Sequence, residues 1–159
     1  MVNPTFRYAE RKDMPLIMRF VLGLARYEHL EDQVVATPKT MEYWIFDQKK
    51  AEVLFVMEEG KEVGFVLFFH NFSTFVGRAG IYLEDLFVEP SYRGRGYGRA
   101  LMEKLASIAV ERGCGRFEWA VLNWNEPSIR FYKSLGAAPL SEWTVYRVAG
   151  EALQKLAGK

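Results

Sequence analysis

From residue 81 to residue 122 the chain reads as strand, glycine loop, helix and strand, and that order restricts the folds open to it. Residues 81–88 are rich in β-branched and aromatic side chains and stop at Glu89-Pro90. Gly94, Gly96 and Gly98 follow at alternate positions. Over residues 97–112 the apolar side chains Leu101, Leu105, Ile108 and Ala109 recur at helical spacing, and Gly113 ends the run. Residues 116–122 form a second strand. A crossover of this kind joins two strands of one sheet and lays its helix on a face of that sheet.

The flanking segments enlarge the sheet. Residues 5–9 read as a first strand, and residues 11–29 as an amphipathic helix carrying Leu16, Ile17, Phe20, Val21, Leu24 and Tyr27 on one side. Thr37-Pro38 offers an N-cap and a first-turn proline for a second helix, running to about residue 46. Residues 51–57 and 62–70 are strands joined by a hairpin at Glu58-Glu59-Gly60-Lys61. The apolar run 63–69, interrupted by Gly64, is the longest of the chain and reads as a buried strand. Residues 127–135 form a short helix stopped by Gly136, residues 143–148 a last strand, and residues 151–156 a terminal helix. The predicted order is βααβββαβαβ, a mixed α/β (α+β) sheet with helices on its faces. No repeat or linker interrupts residues 1–159, so one domain is expected.

Composition excludes several classes. Half of the 159 residues are hydrophobic, too many for a disordered chain. The 21 Lys+Arg against 20 Asp+Glu leave a net charge of +1, which rules out a uniformly basic footprint for nucleic acid. Cys114 is the only cysteine, so internal disulfides and thiolate metal clusters are excluded, and it is expected to be a small buried side chain. His29 and His70, the only histidines, lack ligand spacing, so no metal site is expected. No apolar run approaches the ~18 to 20 residues of a membrane span. Met1-Val2-Asn3-Pro4 lacks a basic leader and an apolar core, so a soluble, cytoplasmic protein is expected.

The stretch Arg93-Gly94-Arg95-Gly96-Tyr97-Gly98-Arg99 carries the strongest chemical signal. Glycines let backbone N–H groups approach a ligand, the helix N-terminus adds a positive dipole end, and three arginines add charge. A pyrophosphate suits such a site. The loop lacks the Gly-Lys-Ser/Thr ending of a nucleoside-triphosphate P-loop and misses the dinucleotide glycine spacing. On the glycines alone, the alternative of a tight surface turn with solvated arginines stays open.

This segment resembles the Arg/Gln-x-x-Gly-x-Gly/Ala signature of the GNAT N-acetyltransferase superfamily. Further segments resemble its diamine (spermidine/spermine) and thialysine N-acetyltransferase branch. These are Leu24-Ala25-Arg26-Tyr27-Glu28, Tyr82-Leu83-Glu84-Asp85, Trp124-Asn125-Glu126-Pro127-Ser128-Ile129 and Phe131-Tyr132-Lys133. The resemblance implies a sheet with a splayed parallel strand pair, acetyl-CoA as donor, no metal, a small primary amine as acceptor, and a homodimer. It implies that the donor's pantetheine arm pairs with the backbone of Leu86, Phe87 and Val88. The pyrophosphate would lie on the loop from Arg93 to Arg99, and Asn125, Glu126, Pro127 and Ser128 would complete the cofactor wall beside Tyr132. Tyr27, Glu28, Glu84, Asp85, Glu118, Trp119, Ala120 and Glu142 match acceptor positions.

An alkylamine has a pKa of about 10 and reacts only as the free base, so a proton acceptor is required. Glu84 matches the family's base, and Tyr132 its acid for the departing thiolate. The backbone N–H of Leu86 is placed to polarise the thioester carbonyl. Asp85 points away from Glu84 in a regular strand, unless a bulge intervenes. Carboxylates and ring faces suit a cationic acceptor. Polyamine enzymes carry an aspartate and a tryptophan where this chain has Ser73-Thr74-Phe75, so a shorter diamine or a lysine-like acceptor fits at least as well as spermidine. Two alternatives stay open: a peptide or protein amine as acceptor, and a non-catalytic acetyl-CoA sensor.

Overall fold

The computed structural model describes residues 3–159. They divide into two compact units, the first ending at Leu122 and the second running from Asn123 to Lys159.

The first unit is built on five strands: β1 (Thr5–Tyr8), β2 (Glu52–Glu58), β3 (Lys61–Ser73), β4 (Arg78–Val88) and β5 (Phe117–Trp119), in that spatial order. Neighbours from β1 to β4 run antiparallel, whereas β4 and β5 run parallel through the crossover helix α3 (Tyr97–Glu111). The mixed sheet therefore forms as the strand–loop–helix–strand reading requires. Helix α1 (Met14–Tyr27) covers one face, and α3 lies over β2, β3 and β4.

Alternation along the strands separates two apolar layers. Ile17 and Phe20 of α1 meet Phe55, Phe65, Leu67 and Phe87, and the Phe20 ring lies 5.5–6.1 Å from the rings of Phe55, Phe65 and Phe87. Leu101, Leu105 and Ile108 of α3, all buried, supply the other layer. Arg7 of β1 ties this frame at one end, with both terminal nitrogens on Asp13 at 2.8 Å and a third bond to Glu62 at 2.6 Å. That guanidinium holds the Asp13 carboxyl below its usual range. The helix α2 (Pro38–Glu42) starts on the predicted cap: Thr37 accepts from the Thr40 N–H at 3.2 Å, and Thr40 Oγ1 accepts in return from the Thr37 N–H at 3.1 Å. A single wide π-type turn carries it on to Asp47.

The second unit holds α4 (Glu126–Ser134) and α5 (Gly150–Leu156). The strand expected at residues 143–148 does not form: the segment is neither helix nor strand, and Trp143, Val145 and Tyr146 are exposed. A strand exists only as part of a ladder, and no described segment pairs with this one. The strand expected over 116–122 shortens to three residues, which leaves Ala120 outside it. Cys114 is half-exposed rather than buried, because it follows the left-handed Gly113 that ends the α3 region. Its sulfur lies 3.8 Å from His70 Nδ1. Among the described residues no helix is long and apolar enough to cross a membrane.

Gly64 of β3 packs directly against the backbone of β4. A Cβ there would lie 2.6 Å from the carbonyl oxygen of Phe87 and 3.2 Å from Cα of Val88, both rigid backbone atoms. Gly64→Ala is expected to destabilise the protein by about 1–3 kcal/mol in denaturant unfolding, as overpacking of a fixed site does. An unchanged midpoint would mean that the two strands can part there without cost.

Candidate active site

Two features of β4 set the geometry. First, the ladder to β3 slips: Leu67 faces Asp85, but Phe68 faces Leu83, so Glu84 is an extra residue with no partner. This is a β-bulge, and it cancels the alternation that would put Glu84 and Asp85 on opposite faces. Second, β5 pairs with β4 only at Ile81, Tyr82 and Leu83, and then ends at Trp119. From Glu84 to Val88, one edge of β4 has no strand beside it among the described residues.

The register identifies which peptide groups face that open edge. Glu89 donates its N–H to Val63 O at 2.9 Å, just beyond the Gly64–Val88 pair, so that pair is of the non-hydrogen-bonded kind. Val88 and Leu86 therefore turn their N–H and C=O groups away from β3. Phe87 lies between them and exchanges its bonds with Phe65, while its ring is buried under α1. Of the three residues expected to pair with a donor's amides, Leu86 turns both backbone groups to the open edge and Val88 its N–H, the Val88 carbonyl being taken by Arg93. The backbone of Phe87 is committed to the sheet.

The loop after β4 is an anion cradle. Gly94 and Gly96 adopt positive φ angles of 72° and 91°, which bend successive peptide groups toward one side. Among the described residues, the N–H groups from Gly94 to Arg99 make no backbone hydrogen bond, whereas Ala100 bonds to Gly96 O at 3.0 Å. The α3 N-terminus thus presents a row of open donors. Acetyl-CoA fits these residues: a diphosphate matches the cradle, and the amides of a pantetheine arm match the edge groups of Leu86 and Val88.

The arginines have other partners. Arg93 donates Nε–H to Val88 O at 2.9 Å, and its guanidinium lies 5.1 Å from the Tyr27 ring and 5.3 Å from that of Phe87. Arg95 pairs with Glu58 and stacks on Tyr92 and Tyr97. Arg99 reaches Glu103, one turn on, at 3.4 Å. Glu58 also accepts from the buried Tyr97 hydroxyl at 2.5 Å, and burial together with this carboxylate pushes the phenol up to about 12. The sequence reading passed over Glu58 because it stands 39 residues away in the hairpin turn.

On the α1 side of the bulge, carboxylates gather. Burial, then Glu84, then Glu28 push the Asp85 carboxyl up to about 7. Burial and Glu84 likewise raise Glu28, which follows the last turn of α1. Tyr82 is raised by burial and by Glu84 and Glu118. Glu118 stands opposite Tyr82 in the parallel pair and accepts from Asn71 at 3.3 Å. Glu28, Glu84 and Asp85 are thus brought together, Glu118 is joined to them through Tyr82, and Tyr82 is the member of the group that sequence reasoning missed. Its position two residues before Glu84 on the same strand was the available signal. Tyr27 holds its ring against Arg93, and Glu31 pairs with Arg26 at 2.9 Å. Ser73 closes the β3–β4 turn by accepting the Val76 N–H at 3.2 Å, which leaves Phe75 exposed.

In the second unit, Asn125 is buried and caps α4, its side chain accepting from the Ser128 N–H at 3.4 Å. Glu126 and Pro127 form the first turn, and Tyr132 lies in the last two turns. Glu142 is exposed, ahead of the extended segment.

A strand that parts from its neighbour above an N–H-lined loop coincides with a family match. The acetyltransferase (GNAT) family model matches residues 21–137. The chain belongs to that family. It is similar to thialysine N-epsilon-acetyltransferase of Sus scrofa, at 39% identity over the whole of both chains. The enzyme of that description from Mus musculus is 36% identical, again over both whole chains. L-ornithine N5-acetyltransferase of Arabidopsis thaliana is 44% identical over 58% of this chain and 41% of its own length. Among solved structures, an integron cassette protein from the mobile metagenome of V. cholerae superimposes with a TM-score of 0.82 at 29% identity, covering all of both chains. The chain is an acetyl-CoA-dependent N-acetyltransferase of the diamine/thialysine branch.

A carboxyl with a raised pKa binds its proton more tightly in the folded chain than in the unfolded one. Its contribution is therefore full at low pH and lost as pH rises from the ordinary 3.8 through about 7. Asp85→Asn, which mimics the protonated form, is expected to stabilise the protein at pH 8, by at most about 4 kcal/mol, and to leave it unchanged near pH 3. Thermal melts at the two pH values measure this. A gain equal at both would mean that Asp85 ionises as an ordinary surface carboxylate.

Proposed function

We propose that the protein acetylates the terminal amine of a small lysine-like amino acid, such as thialysine, or of a short diamine. The observation that carries this reading is the convergence of Glu28, Glu84, Asp85 and Glu118 around the β4 bulge, beside the open edge of the strand. An acceptor with a second ammonium group suits several carboxylates better than one. The thialysine and ornithine relatives add support, since both names describe amino acids with a side-chain amine. Ser73-Thr74-Phe75 adds no carboxylate at the β3–β4 turn, which favours short acceptors over spermidine or spermine.

Acetyl-CoA supplies the acetyl thioester. In the proposed mechanism the carboxylates hold the acceptor as a cation, and Glu84, directly or through water, takes the proton that frees its nitrogen lone pair. The Leu86 N–H polarises the carbonyl, and the cradle from Gly94 to Arg99 holds the diphosphate. Tyr132 returns a proton to the departing thiolate, while Asn125 to Ser128 help to hold the donor. No covalent enzyme intermediate is required, so the half-exposed Cys114 takes no part.

The proposal treats residues 1–159 as one catalytic domain, because the family match runs across residues 122–123 and the porcine relative aligns from end to end. By resemblance, the assembly is a cytoplasmic homodimer.

Release of free CoA, measured across thialysine, lysine, ornithine, short diamines, spermidine and lysine peptides, tests the acceptor. The lysine-like and short acceptors should lead in kcat/KM. Preference for peptides would replace the acceptor assignment, and acetyl-CoA binding without release for any amine would indicate a sensor. Tyr132→Phe should lower kcat by about 100-fold with acetyl-CoA affinity nearly intact. Glu84→Gln should remove the acidic limb of the pH–rate profile, and an unaltered limb would reassign the base.

A further inference from the structure

Past Leu67 the α1 face of the sheet turns from apolar to polar. Phe69 and Asn71 follow Leu67 on that face of β3, and their register partners on β4 are Tyr82 and Gly80. Glu118 of β5 stands opposite Tyr82. Arg116, just ahead of β5, continues that ladder by accepting the Ile81 N–H on its carbonyl at 3.0 Å. Phe69, Asn71, Tyr82 and Glu118 are half-buried and Arg116 is exposed, so the strip is open to a solute.

The strip has an aromatic middle and two charged ends. The rings of Phe69 and Tyr82 lie 5.2 Å apart and pave the middle. One end is the carboxylate group at the β4 bulge. The other is built from Asn71, Arg116 and Glu118. Asn71 donates Nδ2–H to Glu118 Oε1 at 3.3 Å. Its Oδ1 fits because residue 80 is glycine: a Cβ there would lie 2.5 Å from that oxygen and 3.6 Å from the Arg116 Cβ. The Asn71 amide thus holds Glu118 and packs over Gly80 beside Arg116. The Arg116 side chain itself makes no hydrogen bond or ion pair among the described residues.

An uncommitted guanidinium and a carboxylate, two residues apart on one face, present opposite charges side by side. The carboxylate and ammonium of a free α-amino acid are the complementary pair. We propose that Arg116 and Glu118 hold the α-carboxylate and α-ammonium of the acceptor, with Asn71 as positioning residue, so that the protein selects a free basic amino acid over a diamine. The ends are suitably spaced. Glu84 and Asp85 stand two and three residues beyond Tyr82, or about 7–10 Å along the strand. That is the reach between the two nitrogens of a lysine-like chain. Both Glu84 and Glu118 raise the Tyr82 phenol, so its ring lies within electrostatic reach of each end, and it carries the aliphatic stem together with Phe69. A diamine would bring a second ammonium to Glu118, and Arg116 would repel it. The inference rests on the small-acceptor reading above and names which of its two classes the site prefers.

Release of CoA with lysine, cadaverine and Nα-acetyl-lysine, in the parent chain and in Arg116→Gln, Arg116→Lys and Glu118→Gln, tests the subsite. Cadaverine keeps the stem and both amines of lysine without the carboxylate, and Nα-acetyl-lysine keeps the carboxylate without the α-ammonium. The parent chain should favour lysine over each by at least about 10-fold in kcat/KM. Arg116→Gln should raise KM for lysine by about 30-fold with kcat little changed, and should spare cadaverine that loss. Arg116→Lys should restore part of the lysine KM, because it keeps the charge without the planar fork. Glu118→Gln should raise KM for lysine and cadaverine alike. A constant acetyl-CoA KM across the variants separates loss of the subsite from loss of the fold. Parent preference for cadaverine overturns the selectivity and leaves the short-acceptor reading standing. The same holds for an Arg116→Gln chain that loses lysine and cadaverine equally, or loses neither. Absence of CoA release with all three amines overturns the small-acceptor reading as well.

Discussion

Hydrogen-bond accounting along β4 is the constraint on which the site depends. A strand buried in a sheet spends its peptide groups on two neighbours, and β4 has two only as far as Leu83. Beyond that point Leu86 keeps both edge groups unspent and Val88 its N–H, and the N–H row from Gly94 to Arg99 prolongs the open donors into the helix. Buried backbone left in that state is unfavourable, so a ligand with amides and a diphosphate is the natural complement. The proposed donor site is thus largely made of main chain. The side chains around it mainly hold the main chain in position.

In the proposed site, the bulge at Glu84 does for the acceptor what the parted strands do for the donor. In an unbroken ladder, Glu84 and Asp85 would address opposite layers of the protein. With one residue unpaired, Glu84 acts on both Asp85 and Glu28, and its repulsion adds to burial in raising those two carboxyls. Such a group is poised to accept positive charge, because a bound cation relieves repulsion already present in the fold. The near-zero net charge of the chain therefore conceals a local excess of negative charge beside β4.

Much of this was legible in the sequence, to different depths. The crossover unit, the hairpin at Glu59-Gly60 and the Thr37 cap are local signals, and they formed within a few residues of their expected positions. The bulge was not legible, because a register slip depends on how β3 and β4 pack and leaves no mark in either strand alone. Nor were the partners of Arg93 and Arg95: a charged side chain beside a glycine loop reads as a ligand contact until the residues that face it are known. The strand expected at residues 143–148 did not form. An apolar pattern specifies that a segment could pair, while whether a partner strand stands beside it lies beyond any local signal.

Glu58 ends β2 and yet fixes the loop after β4, through the Tyr97 hydroxyl at its base and Arg95 at its crest. The conformational entropy of shaping the loop is therefore lost during folding, before any ligand arrives. Because Arg95 neutralises Glu58, the loop addresses an anion with oriented dipoles more than with free ions. Its grip depends on the angles of a few peptide planes, which dissolved salt screens far less than it screens a surface charge.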